Sequence, residues 1–187
     1  YCGMKTVLTL LVLITPVVAR AQFSAADLQK SAGSFLETKA ADVNVPPAVI
    51  NGVKQLAASF GFSQLDLAKL AKDALTALNG GEDIAALHAF EKLGAAKLNA
   101  TQLSAFNDVK TLVDVYLLQR NFSGVPEMAG PLGSAVMAVK SGNYAGVVTQ
   151  LQSLANGLKP TDDQKVLLTS LTDQYKEWAK SAEETES

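Results

Sequence analysis

Cysteine and histidine are nearly missing from this chain, and each shortage closes a class of chemistry. Among 187 residues there is one cysteine, Cys2, and one histidine, His88. A lone thiol near the start builds no disulfide and no thiolate metal centre, so the fold must be held by its core alone. One histidine cannot form a multi-histidine metal site, and without Cys-x-x-Cys-His there is no covalent haem attachment. In His88-Ala89-Phe90-Glu91 the carboxylate follows one helical turn later. A di-metal carboxylate bundle needs that pair twice, and the corresponding later positions are Thr149 and Gln152. His88 and Glu91 are therefore expected to make a surface contact. No metal and no cofactor site is expected.

Aromatic residues are 6% of the chain, with a single tryptophan, too few for a platform that stacks bases or sugars. Basic residues are neither numerous nor clustered, which excludes a nucleic-acid face. Gly80-Gly81 and the glycines between 130 and 133 lack phosphate-loop spacing and a preceding strand, so they read as helix ends. No serine sits in a nucleophile-elbow glycine pattern. These absences leave no recognisable catalytic constellation, and the chain is not expected to be an enzyme.

One apolar run stands out. Met4-Lys5, the stretch from Val7 to Val18 and the small-residue pattern Ala19-Arg20-Ala21 have the three-part layout of a secretory signal, with cleavage between Ala21 and Gln22. The run is shorter than the ~20 residues a membrane span needs. Tyr1-Cys2-Gly3 precede the methionine of that layout and are set aside from the fold. With Lys5 and Arg20 removed, 14 of the 16 basic side chains face 18 acidic ones, a modest negative balance that favours solubility. The expected address is periplasmic or extracellular, with no stable membrane insertion after cleavage.

From Gln22 onward the pattern is helical. Apolar residues recur every three to four positions, and no segment alternates with period two. Ser24 opens a first helix with Leu28, Ala32, Phe35 and Leu36 on one stripe. Pro46-Pro47 opens a second, because proline fits a first turn but not an interior. Ser63 with Asp66 is expected to cap a third, and Asn79-Gly80-Gly81 to end it. A fourth runs from Asp83 to Lys97. Thr101 is expected to cap a fifth, whose stripe of Leu103, Phe106, Val109, Leu112, Val113, Tyr116 and Leu117 is the longest in the chain. A sixth spans Leu132 to Ser141, Asn143 caps a seventh, and Thr161-Asp162-Asp163-Gln164 is a capping box for an eighth. The fold class is all-α: an antiparallel helix bundle or short α-solenoid of about eight helices. Residues 22–181 form one helical domain, and 182–187 are expected to be a disordered acidic tail.

Two stretches resemble each other. Ala74 to Gly81 matches Ala135 to Gly142, Leu87, Phe90 and Leu93 match Val148, Leu151 and Leu154, and Leu112 to Tyr116 matches Leu171 to Tyr175. The expected repeat units are about 63–120 and 124–180, with a period near 60 residues. Gly81 followed by Ala86 and Phe90, and Gly142-Asn143-Tyr144 followed by Val147 and Leu151, resemble the second half of a tetratricopeptide repeat. The Trp, Leu-Gly and Tyr pattern of that family's first helix is missing, and its period is about 34. The resemblance implies helical hairpins stacked around a groove that takes a peptide or protein.

Asn121 to Pro131 reads as the one extended irregular segment, separating the units and suited to partner contact. Tyr116, Phe122, Met128, Tyr144 and Tyr175 are the candidate partner contacts. Asp114 and Asp173 hold matching places beside Tyr116 and Tyr175. Paired carboxylates can serve acid–base chemistry, but solvent-facing or capping side chains are the expectation here. The function expected is an exported protein-binding or scaffolding module without catalysis. The rival is a carrier with a lipid or other hydrophobic ligand in the bundle interior. The address is directly measurable: the chain expressed from Met4 with its leader should be recovered outside the cytoplasm with Gln22 as its first residue by intact mass. Recovery of the uncleaved form in the membrane would make the segment a retained anchor, and its recovery in the cytoplasm would remove the exported reading.

Overall fold

The computed structural model describes residues 44–157 and 159–186. All regular structure among them is helical: α1 Pro47–Ser59, α2 Leu65–Gly80, α3 Asp83–Gly94, α4 Ala100–Phe122, α5 Ala129–Ser141, α6 Tyr144–Gly157 and α7 Asp162–Glu186, with short 3-10 turns at Phe62–Gln64 and Pro126–Met128. Seven helices stand where about eight were expected; the one expected from Ser24 lies outside the described residues, as does the expected signal.

Local chemistry explains most boundaries. Pro47 begins α1, where its missing N–H costs nothing. α2 and α5 end alike. Gly81, with φ 79°, donates to the Leu78 carbonyl at 3.2 Å while Glu82 donates to Ala77 at 2.8 Å. Gly142, with φ 70°, donates to Val139 at 3.2 Å while Asn143 donates to Ala138 at 3.0 Å. Both ends satisfy carbonyls that a helix terminus would otherwise leave unpaired, in a left-handed conformation that favours glycine.

The starts of α4 and α7 also match. Asn99 and Gln102 exchange side-chain-to-backbone hydrogen bonds of 2.9 and 3.2 Å, and Thr161 and Gln164 do the same at 3.2 and 3.0 Å. These are reciprocal capping boxes. Each box glutamine then reaches 43 residues back: Gln102 donates to the Ser59 carbonyl at 3.2 Å and Gln164 to the Asn121 carbonyl at 2.8 Å. The start of one long helix is thereby fastened to the end of an earlier one.

Several expectations need correction. α4 is capped by Asn99 rather than Thr101, because Asn99 has the extended backbone that an N-cap requires. Ser63 lies in a 3-10 turn and caps nothing. Asn121 to Pro131 is not an extended loop: Asn121 and Phe122 finish α4, Pro126 opens a 3-10 turn, and α5 begins at Ala129. Pro131 causes no break, since it sits in the first turn of α5, where backbone N–H groups have no intrahelical partner. The acidic tail continues α7 as helix to Glu186.

α1 packs on α2 and α4, α2 on α3, α4 on α5, α5 on α6 and α6 on α7, while α3 also touches α4 and α7. One continuous core results. α4 is its centre: Val113, Asp114, Tyr116, Leu117 and Leu118 are all buried, so neighbours enclose the helix on several sides. Two glycine substitutions separate backbone from tertiary effects. Gly142→Ala has free space and should cost only the left-handed backbone penalty, about 1 kcal/mol. At Gly81 an added Cβ would lie 2.5 Å from Arg120 Nη2, and because moving that guanidinium disturbs its bonds to the Leu78 carbonyl and the Tyr116 hydroxyl, Gly81→Ala should cost more in urea unfolding. Equal losses would contradict this account of the α2 end.

Candidate functional site

A lysine and an aspartate meet inside the core. Lys110 and Asp114 lie one turn apart on α4 and form an ion pair whose side chains are 2% and 0% exposed. The pair uses Asp114 Oδ1. Oδ2 accepts from the Tyr175 hydroxyl at 2.9 Å and from Gln174 Nε2 at 2.8 Å, both on α7. Burial, reinforced by the charge of Asp114 and the bond to it, raises the Tyr175 hydroxyl well above its ordinary value. It therefore remains a proton donor at neutral pH.

Above this cluster a groove of about 530 Å³ opens to solvent between α3, α4 and α7. Phe90 and Phe106, with ring centroids 6.5 Å apart, form its apolar base. Leu103 on α4 and Trp178 on α7 stand at its sides, and Lys110 lies in its floor. Carboxylates edge it: Glu91 from α3, Asp173 and Glu177 from α7. Glu91 takes hydrogen bonds from Ser170 on α7 and, at 2.8 Å, from His88. Burial acts to raise the Glu91 carboxyl, but the bonds from His88 and Ser170 and the charges of His88 and Lys110 outweigh it and hold the group below its ordinary value. A second recess of about 470 Å³, beside α6 and α7, is lined by Pro160, Leu168 and mainly polar side chains, with no aromatic wall.

The sequence-derived contacts fall elsewhere. Tyr116, Phe122, Met128 and Tyr175 are 2%, 0%, 6% and 0% exposed, so they are core residues and cannot meet a partner while the fold is closed. Tyr144 is half-buried, its ring 5.9 Å from that of Tyr175 and 5.4 Å from that of Trp178. Of the five, only Tyr144 reaches the surface, and it does so as support for Trp178. The equal treatment of Asp114 and Asp173 also fails: Asp114 is enclosed, whereas Asp173 is 69% exposed and lies 3.6 Å from Lys176. The capping boxes explain this. Aligned on those boxes, Asn99 with Thr161, the two helices are offset by 62 residues (161 − 99), so Asp114 corresponds to Lys176 and not to Asp173, whose offset is 59 (173 − 114). Leu103, expected to face inward, is 46% exposed.

A second polar group joins α2, α3 and α4. Arg120 Nη1 donates to the Leu78 carbonyl at 3.3 Å and to the Tyr116 hydroxyl at 2.7 Å, and its Nε lies 3.5 Å from Asp83. Asn121 donates to the same Asp83 oxygen at 2.9 Å. A cation thus closes the carbonyl end of α2, where helix polarity favours positive charge. Burial raises both the Asp83 carboxyl and the Tyr116 hydroxyl, against the lowering effect of their bonded partners. This group is architectural, since it lines neither recess. Sequence reasoning passed over Lys110 and Arg120. The available signals were a lysine on an apolar stripe with an aspartate four residues on, and an arginine four residues after a tyrosine.

Among the described residues, no helix is long and apolar enough to cross a membrane. The chain matches no protein-family model, no curated protein and no solved structure.

Removing one partner from a buried ion pair strands the other charge. Lys110→Met should therefore cost about 3–5 kcal/mol in urea unfolding. Combining it with Asp114→Asn, which removes the stranded charge but keeps an acceptor for Tyr175 and Gln174, should recover much of that loss, and a double variant as unstable as the single would refute the pairing argument. The pH profile offers a second check. Native Tyr175 holds its proton more tightly than the unfolded chain does, so its contribution is complete below about pH 10 and is lost as pH rises through the native value. The alkaline decline in stability should be shallower in Tyr175→Phe.

Proposed function

We propose that this chain is an exported, non-catalytic helical module that binds a protein or peptide segment in the groove between α3, α4 and α7. One observation carries the reading: an open groove with Phe90 and Phe106 as its apolar base, Leu103 and Trp178 at its sides and polar groups along its edges. Its apolar walls with convergent polar groups suit a short structured segment. An enclosed ligand is favoured less. Leu87, Phe90, Leu117, Phe122 and Leu151 fill the interior in which a lipid carrier would hold its cargo.

A catalytic role is favoured less for a related reason. Both oxygens of Asp114 are engaged, by Lys110 on one side and by Tyr175 and Gln174 on the other. A carboxylate so occupied is a clip rather than a base.

The groove lies where two copies of one unit would meet. In this reading α2-α3-α4 and α5-α6-α7 derive from a duplication, with units of about 63–120 and 124–180 and a period near 60 residues. Support comes from the paired glycine ends of α2 and α5, and from Gln102 and Gln164, each bonded to a carbonyl 43 residues back. The α2–α3 and α5–α6 hairpins with their glycine turns are the part that resembles tetratricopeptide repeats. The periplasmic or extracellular address rests on the leader-like residues before Gln22.

Trp178 is the only tryptophan, so its emission reports on this groove alone. Peptides selected from a display library against the folded protein should shift that emission. Replacing the exposed Leu103 by Gln should weaken them roughly tenfold by removing apolar contact. If the selected peptides bind the Leu103→Gln variant equally well and leave Trp178 emission unchanged, the groove is not the binding surface.

A further inference from the structure

The groove has a charge asymmetry that bears on what fits it. Two cationic side chains line it, and each already has a carboxylate: Lys110 pairs with Asp114, and Lys176 lies 3.6 Å from Asp173. Two carboxylates at its edges are not balanced in this way. Glu177 on α7 has no ion pair among the described residues. Glu91 on α3 is bonded by Ser170, a neutral donor, and by His88, which carries charge only when protonated, and it feels Lys110 only at a distance. Opposite walls therefore present negative charge above an apolar base. Trp178, half-buried at the side, adds an indole ring, the aromatic group that attracts cations most strongly.

Taking the groove as the binding surface, we infer that its partner is a basic amphipathic segment: apolar side chains seated on Phe106 and Leu103, with lysine or arginine directed to Glu91, Glu177 and Trp178. An acidic segment would place like charges at both edges, and a purely apolar one would leave these carboxylates desolvated without a counter-charge. The buried lysine pair adds a further selection. Lys110, enclosed and committed to Asp114, is not available to welcome an incoming carboxylate, whereas the exposed pair of Lys176 with Asp173 adds little selection of its own.

The test uses the folded protein and three fluorescently labelled peptides with leucine at positions i, i+3, i+4 and i+7. Their intervening polar positions are all lysine and arginine, all glutamine or all glutamate. Anisotropy should rank the basic peptide roughly tenfold tighter than the glutamine one, since two partly exposed ion pairs contribute about 1.4 kcal/mol together. The glutamate peptide should bind weakest, and added salt should narrow the spread. Glu177→Gln should weaken the basic peptide about threefold and leave the glutamine peptide unchanged. Asp73→Asn, at an exposed acid on α2 away from the groove, should change neither.

The inference is overturned if the glutamine peptide binds as tightly as the basic one, or if Asp73→Asn costs as much as Glu177→Gln; the groove reading itself survives both results. Failure of every peptide to bind would remove the groove reading together with this one.

Discussion

A carboxylate enclosed in a helical core has to be matched atom by atom, and Asp114 is the point around which this molecule is arranged. Its desolvation would be prohibitive alone. Lys110 neutralises the charge from the same helix, but a pair within one helix leaves lone pairs unfilled. Tyr175 and Gln174 fill them from α7. The requirement is directional, unlike the surrounding apolar contacts, so it sets which face of α7 turns inward. With Tyr175 turned to Asp114, Trp178 falls at the side of the groove and Glu177 at its edge. The polar cluster in the core and the surface presented to a partner are thus consequences of one constraint.

The capping boxes play the complementary role at helix ends. Gln102 and Gln164 each satisfy an N-terminus locally and then spend their remaining donor on a carbonyl at the end of a distant helix. A single side chain therefore couples local helix formation to tertiary placement. Arg120 does the same for α2, joining its terminal carbonyl to Tyr116 and Asp83. These contacts have defined geometry, while the Leu, Val and Ala of the core supply most of the stabilisation without specifying angles.

Much of the helix layout was legible in the residues. Glycine at 81 and 142, Pro47, Asn143 and the box at Thr161 mark boundaries by local rules that operate within a few residues. Where two local signals competed, the reading slipped. Thr101 and Asn99 could both cap α4, and backbone conformation decided for Asn99. Two prolines between 126 and 131 suggested a loop, but both fit first-turn positions. The site was much less legible. Tyr116 and Phe122, candidate partner contacts by sequence, are enclosed by the core, and nothing in their local pattern distinguishes an enclosed aromatic side chain from an exposed one. A lysine on an apolar stripe normally snorkels to solvent, so the enclosure of Lys110 follows only from its pairing with Asp114.

What the sequence determined by itself is the class of structure. Apolar positions repeating every three to four residues, punctuated by glycine, proline and capping side chains, specify helices through interactions that span only a turn or so. Which of those side chains are enclosed, that Asp114 and Asp173 have opposite fates, and that Leu103 and Trp178 border one groove were decided by tertiary structure alone. The physical reason is that burial and pairing depend on residues brought together from distant parts of the chain, such as Asp114 and Tyr175. No local pattern records the angle at which two helices meet.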